Sequence, residues 1–81
     1  MKGHTDMERL IEILEDIQPG IDFVNEDKLV DGHLLDSLSI IALIAELEDE
    51  YDISIPTVEI IPENLNSANA ILRMVERLQS K

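Results

Sequence analysis

Cysteine is absent from this 81-residue chain, which rules out disulfides, thiolate metal sites and thiol catalysis by the protein itself. Aromatic side chains are almost absent: Phe23 and Tyr51 stand alone and tryptophan is missing, so the core must be aliphatic. Basic residues are scarce. Six Lys and Arg face 18 Asp and Glu, a formal net charge of −12. Such a surface repels nucleic acid and anionic lipid and draws basic protein surfaces toward it. No apolar run approaches a membrane span, and Met1-Lys2-Gly3-His4-Thr5-Asp6 lacks a signal-peptide stretch. The expectation is a complete, soluble, cytoplasmic monomer with no membrane insertion.

What is present suffices for a fold. Hydrophobic residues make up 44% of the chain, well above the disordered range. At this length one domain is expected over 1–81, its first few residues flexible. Each buried aliphatic side chain contributes about 1.5–3 kcal/mol, enough for a small bundle with little reserve against chain entropy.

Thr5-Asp6-Met7-Glu8 has the form of a capping box, and Met7, Leu10, Ile11, Leu14 and Ile17 follow at helical spacing. Pro19-Gly20 ends that helix. A connection of about 15 residues follows, long for a compact domain. Phe23, Val24, Leu29 and Val30 are spaced along it like anchors to the core, and Asp31-Gly32 marks a turn. A second helix is predicted from about Leu38 to Tyr51 with Asp36 as N-cap. Its core face holds Ile40, Leu43, Ile44, Leu47 and Tyr51, and Ser37, Ile41, Ala45 and Glu48 form a neighbouring stripe that the core does not need. Pro56 keeps Ile53-Ser54-Ile55 extended. Pro62-Glu63-Asn64-Leu65 reads as one short turn with Pro62 at the first helical position. Asn66 or Ser67 caps a last helix from Ala68 to about Gln79, striped by Ile71, Leu72, Val75 and Leu78. Arg73, Arg77 and Lys81 suit its C-terminal end. The fold class is therefore all-α, a small bundle of three main helices and one short helix.

Chemistry concentrates at Leu35-Asp36-Ser37-Leu38. A serine there stands on an exposed turn with a free hydroxyl, and the following helix offers its positive dipole end and unpaired amides. Phosphate is the group such a place holds well, so Ser37 is the candidate attachment point for a phosphate-linked arm. Its plainer role would be a helix cap. Serine catalysis is disfavoured, because no Gly-x-Ser-x-Gly elbow surrounds Ser37 and only His4 and His33 could act as bases. His33 reads as a solvated loop histidine, or as a neighbour of the arm's phosphate. Asp27, Asp31 and Gly32 have part of an EF-hand look. With Gly32 at the sixth loop position, however, Leu29 and Leu38 fall at the third and twelfth, where calcium needs oxygen. No metal site is assigned.

Gly32-His33-Leu34-Leu35-Asp36-Ser37-Leu38, the helix after it and Ile53-Ser54-Ile55-Pro56 together resemble the phosphopantetheine-dependent carrier proteins, acyl carrier protein-like in fold. The resemblance spans about residues 5–80. It implies that Ser37 Oγ receives 4′-phosphopantetheine from coenzyme A through a separate, Mg²⁺-using phosphopantetheinyl transferase. The arm's thiol would supply the sulfur the chain lacks and carry acyl or aminoacyl groups as thioesters. Asp36 matches the motif acid that helps the transferase engage. Leu38, Ile41, Glu48 and Asp49 match the surface read by partner enzymes. Those partners would be an acyl- or aminoacyl-activating ligase and downstream acyl-transfer or condensing enzymes. The protein would be no enzyme itself. Fatty-acid carriers usually have acids at the positions of Ser39 and Ala42, and often Gly-Ala before Asp-Ser. Leu34-Leu35 and the Pro62–Ser67 run look more like D-alanyl and peptidyl carriers than fatty acid biosynthesis carriers.

A different class of function also fits the composition: a non-covalent acidic helical adaptor that binds a basic protein through the Ile41 stripe. On either reading, like charges crowd the second helix and oppose compaction. Thermal melts should therefore move to higher temperature with added salt or Mg²⁺; a midpoint indifferent to ionic strength contradicts this repulsion.

Overall fold

The computed structural model describes residues 6–80. Four α-helices follow in order: α1 (Asp6–Ile17), α2 (Ser37–Tyr51), α3 (Pro62–Leu65) and α4 (Ala68–Gln79). A single 3₁₀ turn, Thr57–Glu59, lies between α2 and α3. No strand occurs among the described residues. This is the all-α bundle of three main helices and one short one that the periodicity predicts. The Thr5 cap, His4, Lys81 and the expected mobility of the first few residues fall outside the described residues.

α1 buries Leu10, Ile13 and Leu14 and keeps Met7, Ile11 and Ile17 half-buried. Just after it the chain reverses at Gly20, whose φ of +94° is a conformation that glycine adopts without a Cβ penalty. α2 runs antiparallel to α1, and a hydroxyl hydrogen bond ties each pair of ends. The Ser39 hydroxyl donates to Gln18 Oε1 at 3.3 Å, and the Tyr51 hydroxyl donates to the Asp6 carbonyl at 3.0 Å. Burial and the charges of Asp6 and Glu50 push the Tyr51 hydroxyl pKa upward, so it stays a donor near neutrality.

α4 packs against α1, α2 and α3, so it forms the centre of the bundle. Ser67 is its cap, its Oγ accepting the Ala70 amide at 3.0 Å; Asn66 serves elsewhere. Met74 is fully buried beside Ile71 and Val75 although it lay outside the expected stripe, because α4 is covered on more than one side. Along the connection after α1, Phe23 and Leu29 are buried as anticipated. Val24 is not an anchor. It is 71% exposed, since Phe23 next to it takes the inward position.

Leu43 and Leu47, one turn apart on α2, are both fully buried. Truncating either to alanine should lower the unfolding free energy by about 2–5 kcal/mol. A domain of this size has about 4–12 kcal/mol in all. Urea titration would measure it, and a loss below about 1 kcal/mol would contradict the packing described.

Candidate functional site

The connection between α1 and α2 ends in a hydrogen-bonded knot. Gly32 N–H donates to the Lys28 carbonyl at 2.7 Å and His33 N–H to the Val30 carbonyl at 3.0 Å. The Leu34 and Leu35 amides then both donate to the Leu29 carbonyl at 2.9 Å. Gly32 is needed for closeness rather than for an unusual φ: a Cβ there would stand 2.6 Å from the Lys28 oxygen. The left-handed position belongs to His33 instead, at φ 61°. Its exposed side chain agrees with the solvated loop histidine expected from sequence.

From this knot the chain enters α2 with three exposed positions set between two buried ones. Leu35 is 3% exposed and anchors the entry, and Ser39 is 9% exposed. Between them Asp36, Ser37 and Leu38 face solvent. Asp36 takes an extended backbone conformation and its Oδ1 accepts the Ser39 amide at 2.8 Å, an N-cap as predicted. The Ser39 amide, first among the causes, holds the Asp36 carboxyl below its ordinary range, so it is ionised at neutral pH.

Ser37 is the first residue of α2 rather than part of the preceding turn. Among the described residues its hydroxyl makes no hydrogen bond, so the helix cap is Asp36 and not Ser37. An oxygen presented in this way, on a rigid helix end and unengaged, fits covalent attachment of a phosphate-linked arm. One of the amides at the start of α2 is already taken, however. Asp36 already occupies the Ser39 amide, so a phosphate on Ser37 would stand beside an acid.

Beyond Ser37, Leu38 is 77% and Ile41 65% exposed, one turn apart on the helix surface. Asp49 is exposed farther along α2. Glu48 differs from the sequence expectation of a free surface acid. It is half-buried and its Oε2 accepts the Ile55 amide at 2.8 Å, which fastens the segment after α2 to the helix. The acids near the C-terminal end of α2 have no basic residue in its last turn. Arg9 of α1 supplies one, reaching Glu50 at 2.9 Å and Glu12 at 3.0 Å, and it holds the Glu50 carboxyl below its usual range. The chain has no sequence signal for this pairing. Among the described residues no group of three His, Cys, Asp or Glu is placed to hold a metal ion.

Residues 8–75 match the family described as the phosphopantetheine attachment site. The chain is 37% identical over 73 residues to the D-alanyl carrier protein of Streptococcus sanguinis (strain SK36), covering 88% of this chain and 91% of that protein. It is 39% identical over 66 residues to the D-alanyl carrier protein of Streptococcus equi subsp. zooepidemicus (strain MGCS10565), covering 82% of this chain and 78% of that one. The D-alanyl carrier protein of Streptococcus equi subsp. equi (strain 4047) gives the same figures.

The depressed Asp36 carboxyl has a consequence for acid stability. Its ordinary pKa is 3.8, and the folded value lies lower. The cap therefore stabilises fully only above the ordinary value of 3.8 and loses its contribution as pH falls through the folded pKa. In urea titrations the stability gap between wild type and Asp36→Ala should be constant above about pH 5 and shrink below pH 3.8. A gap that stays flat down to about pH 2 contradicts the charged cap.

Proposed function

Because this chain belongs to the phosphopantetheine-attachment family of carrier proteins, we propose that Ser37 is its attachment residue and that D-alanine is its cargo. Members of this family are carriers rather than enzymes, bearing 4′-phosphopantetheine and presenting acyl or aminoacyl groups to partner enzymes. When bound, the arm contributes a terminal thiol that holds such groups as thioesters, the sulfur chemistry that a cysteine-free chain lacks.

The observation that carries the assignment is the unengaged Ser37 hydroxyl at the start of α2, displayed between the buried Leu35 and Ser39. In the modification Ser37 supplies the oxygen and gives up its proton, and the nucleotide half of coenzyme A departs. Asp36 stays ionised beside it and keeps the first turn of α2 closed. The arm then swings from a rigid end rather than from a mobile loop. The D-alanyl assignment is supported by the likeness to D-alanyl carriers along most of both chains, and by Leu34-Leu35 ahead of Asp36-Ser37.

Partners follow from the same reading. A phosphopantetheinyl transferase installs the arm, an ATP-consuming ligase activates the amino acid, and a downstream acyltransferase takes it. Leu38 and Ile41 would seat in an apolar hollow of these enzymes, with Asp49 and the outward part of Glu48 facing basic residues at the rim. We read the chain as one monomeric domain working in the cytoplasm, where coenzyme A is available. No helix among the described residues is long and apolar enough to cross a membrane. The adaptor reading gives way, because it leaves the likeness to phosphopantetheine carriers along most of the chain unaccounted for.

Incubation with coenzyme A, Mg²⁺ and a phosphopantetheinyl transferase should raise the intact mass by one phosphopantetheine, and Ser37→Ala should gain nothing. A D-alanine-activating ligase with ATP should then add one alanyl group to the modified form. Absence of the first gain, or its persistence in Ser37→Ala, overturns the attachment. Preference of the modified form for a fatty acyl group overturns the cargo.

A further inference from the structure

The turn that delivers Ser37 is held by one residue from a distant part of the chain, through its backbone and its side chain. Asn66, at the junction between α3 and α4, accepts the Leu29 amide on its backbone carbonyl at 2.9 Å. Its side-chain Oδ1 accepts the Val30 amide at 2.9 Å and the Asp31 amide at 3.0 Å. Its Nδ2 donates to Asp31 Oδ2 at 3.1 Å. Each polar atom of the carboxamide is thus matched to the complementary group on the turn. The Leu29 carbonyl in turn receives the Leu34 and Leu35 amides, and Leu35 leads directly into Asp36 and Ser37. Asn66 is also joined to α3, its own amide donating to the Pro62 carbonyl at 2.9 Å. A continuous line of hydrogen bonds therefore runs from α3 to the start of α2.

We propose that Asn66 is a positioning residue for the modification of Ser37: it holds the turn from Leu29 to Leu35 in the register that presents the serine hydroxyl. The inference rests on Ser37 being the attachment residue. Asn66 touches neither the hydroxyl nor any reacting atom; its side chain acts through Val30 and Asp31, which follow the Leu29 whose carbonyl receives the Leu34 and Leu35 amides. The helix caps and the buried core do not depend on its side chain, because α4 is capped by Ser67 and α2 by Asp36. Its loss should leave the bundle folded and release the turn. A misplaced nucleophile reacts slowly even when binding is intact, so the effect belongs mainly in kcat rather than in KM.

The test is the rate of phosphopantetheine transfer from coenzyme A, catalysed by a phosphopantetheinyl transferase, onto the whole chain well below its melting temperature. Asn66→Ala should lower kcat/KM about tenfold or more, with most of the loss in kcat. Exchange of the Leu34 and Leu35 amides should speed up while those within α4 keep their protection. Ser67→Ala, which removes the adjacent cap without touching the turn, is the control for stability alone and should react at nearly the wild-type rate. Asn66→Asp should also be slow, because its second oxygen would face Asp31. Adding Asp31→Asn to it rebuilds the complementary pair and should restore most of the rate. If Asn66→Ala and Ser67→Ala react equally well, or the double variant stays as slow as Asn66→Asp, the positioning role is overturned. If wild type itself is not modified at Ser37, the assignment of the attachment residue fails instead.

Discussion

Ser37 is exposed because the residues two positions before and after it are not free to be. Leu35 is committed to the core, Ser39 is buried and tied to Gln18, and the Asp36 carboxylate is seated on the Ser39 amide. With positions 35 and 39 turned inward, one turn of helix leaves the side chain at 37 no place but solvent. The hydroxyl is displayed by a fixed element rather than by a mobile loop. A long arm attached there can move widely while its point of origin stays constant.

The same economy governs the rest of α2. Its inward face is spent on Leu43 and Leu47, which lock it to the bundle, and its outward face near Ser37 keeps the uncovered Leu38 and Ile41. Charge is pushed to the far end of the helix, where Arg9 of α1 offsets part of the crowding. Since that ion pair is exposed and screened by solvent, packing and not charge pairing holds α1 against α2. A partner docking on α2 would meet an apolar surface close to Ser37 and an acidic one farther away. On the proposed reading, steering and seating would be divided between the two ends of one helix.

Much of this architecture was legible in the amino-acid order. Helical spacing in Leu10-Ile11-Leu14, the breakers Pro19-Gly20, Asp36 as a cap and Pro62 at a first turn each declare themselves locally, within a few residues. What escaped depends on contacts between distant segments. The role of Asn66 joins residues more than thirty positions apart, and nothing in a window around Asn66 distinguishes it from a helix cap. Glu48 looks like any solvated acid until the chain folds back and Ile55 brings its amide to it. Asp31-Gly32 was readable as a turn, yet not the reason for the glycine, which is the approach of the Lys28 carbonyl. Val24 was misread because adjacent apolar residues in an irregular segment have no period to say which one turns inward.

The most direct measurement is residue-level mass spectrometry of the protein isolated from its own cells, with the peptide spanning Leu35 to Ala45 fragmented to locate any adduct. The account predicts phosphopantetheine on Ser37 and on no other serine, with a fraction of the arms carrying alanine of D configuration. A working protein whose Ser37 is bare, or whose adduct sits on Ser39 instead, would contradict it.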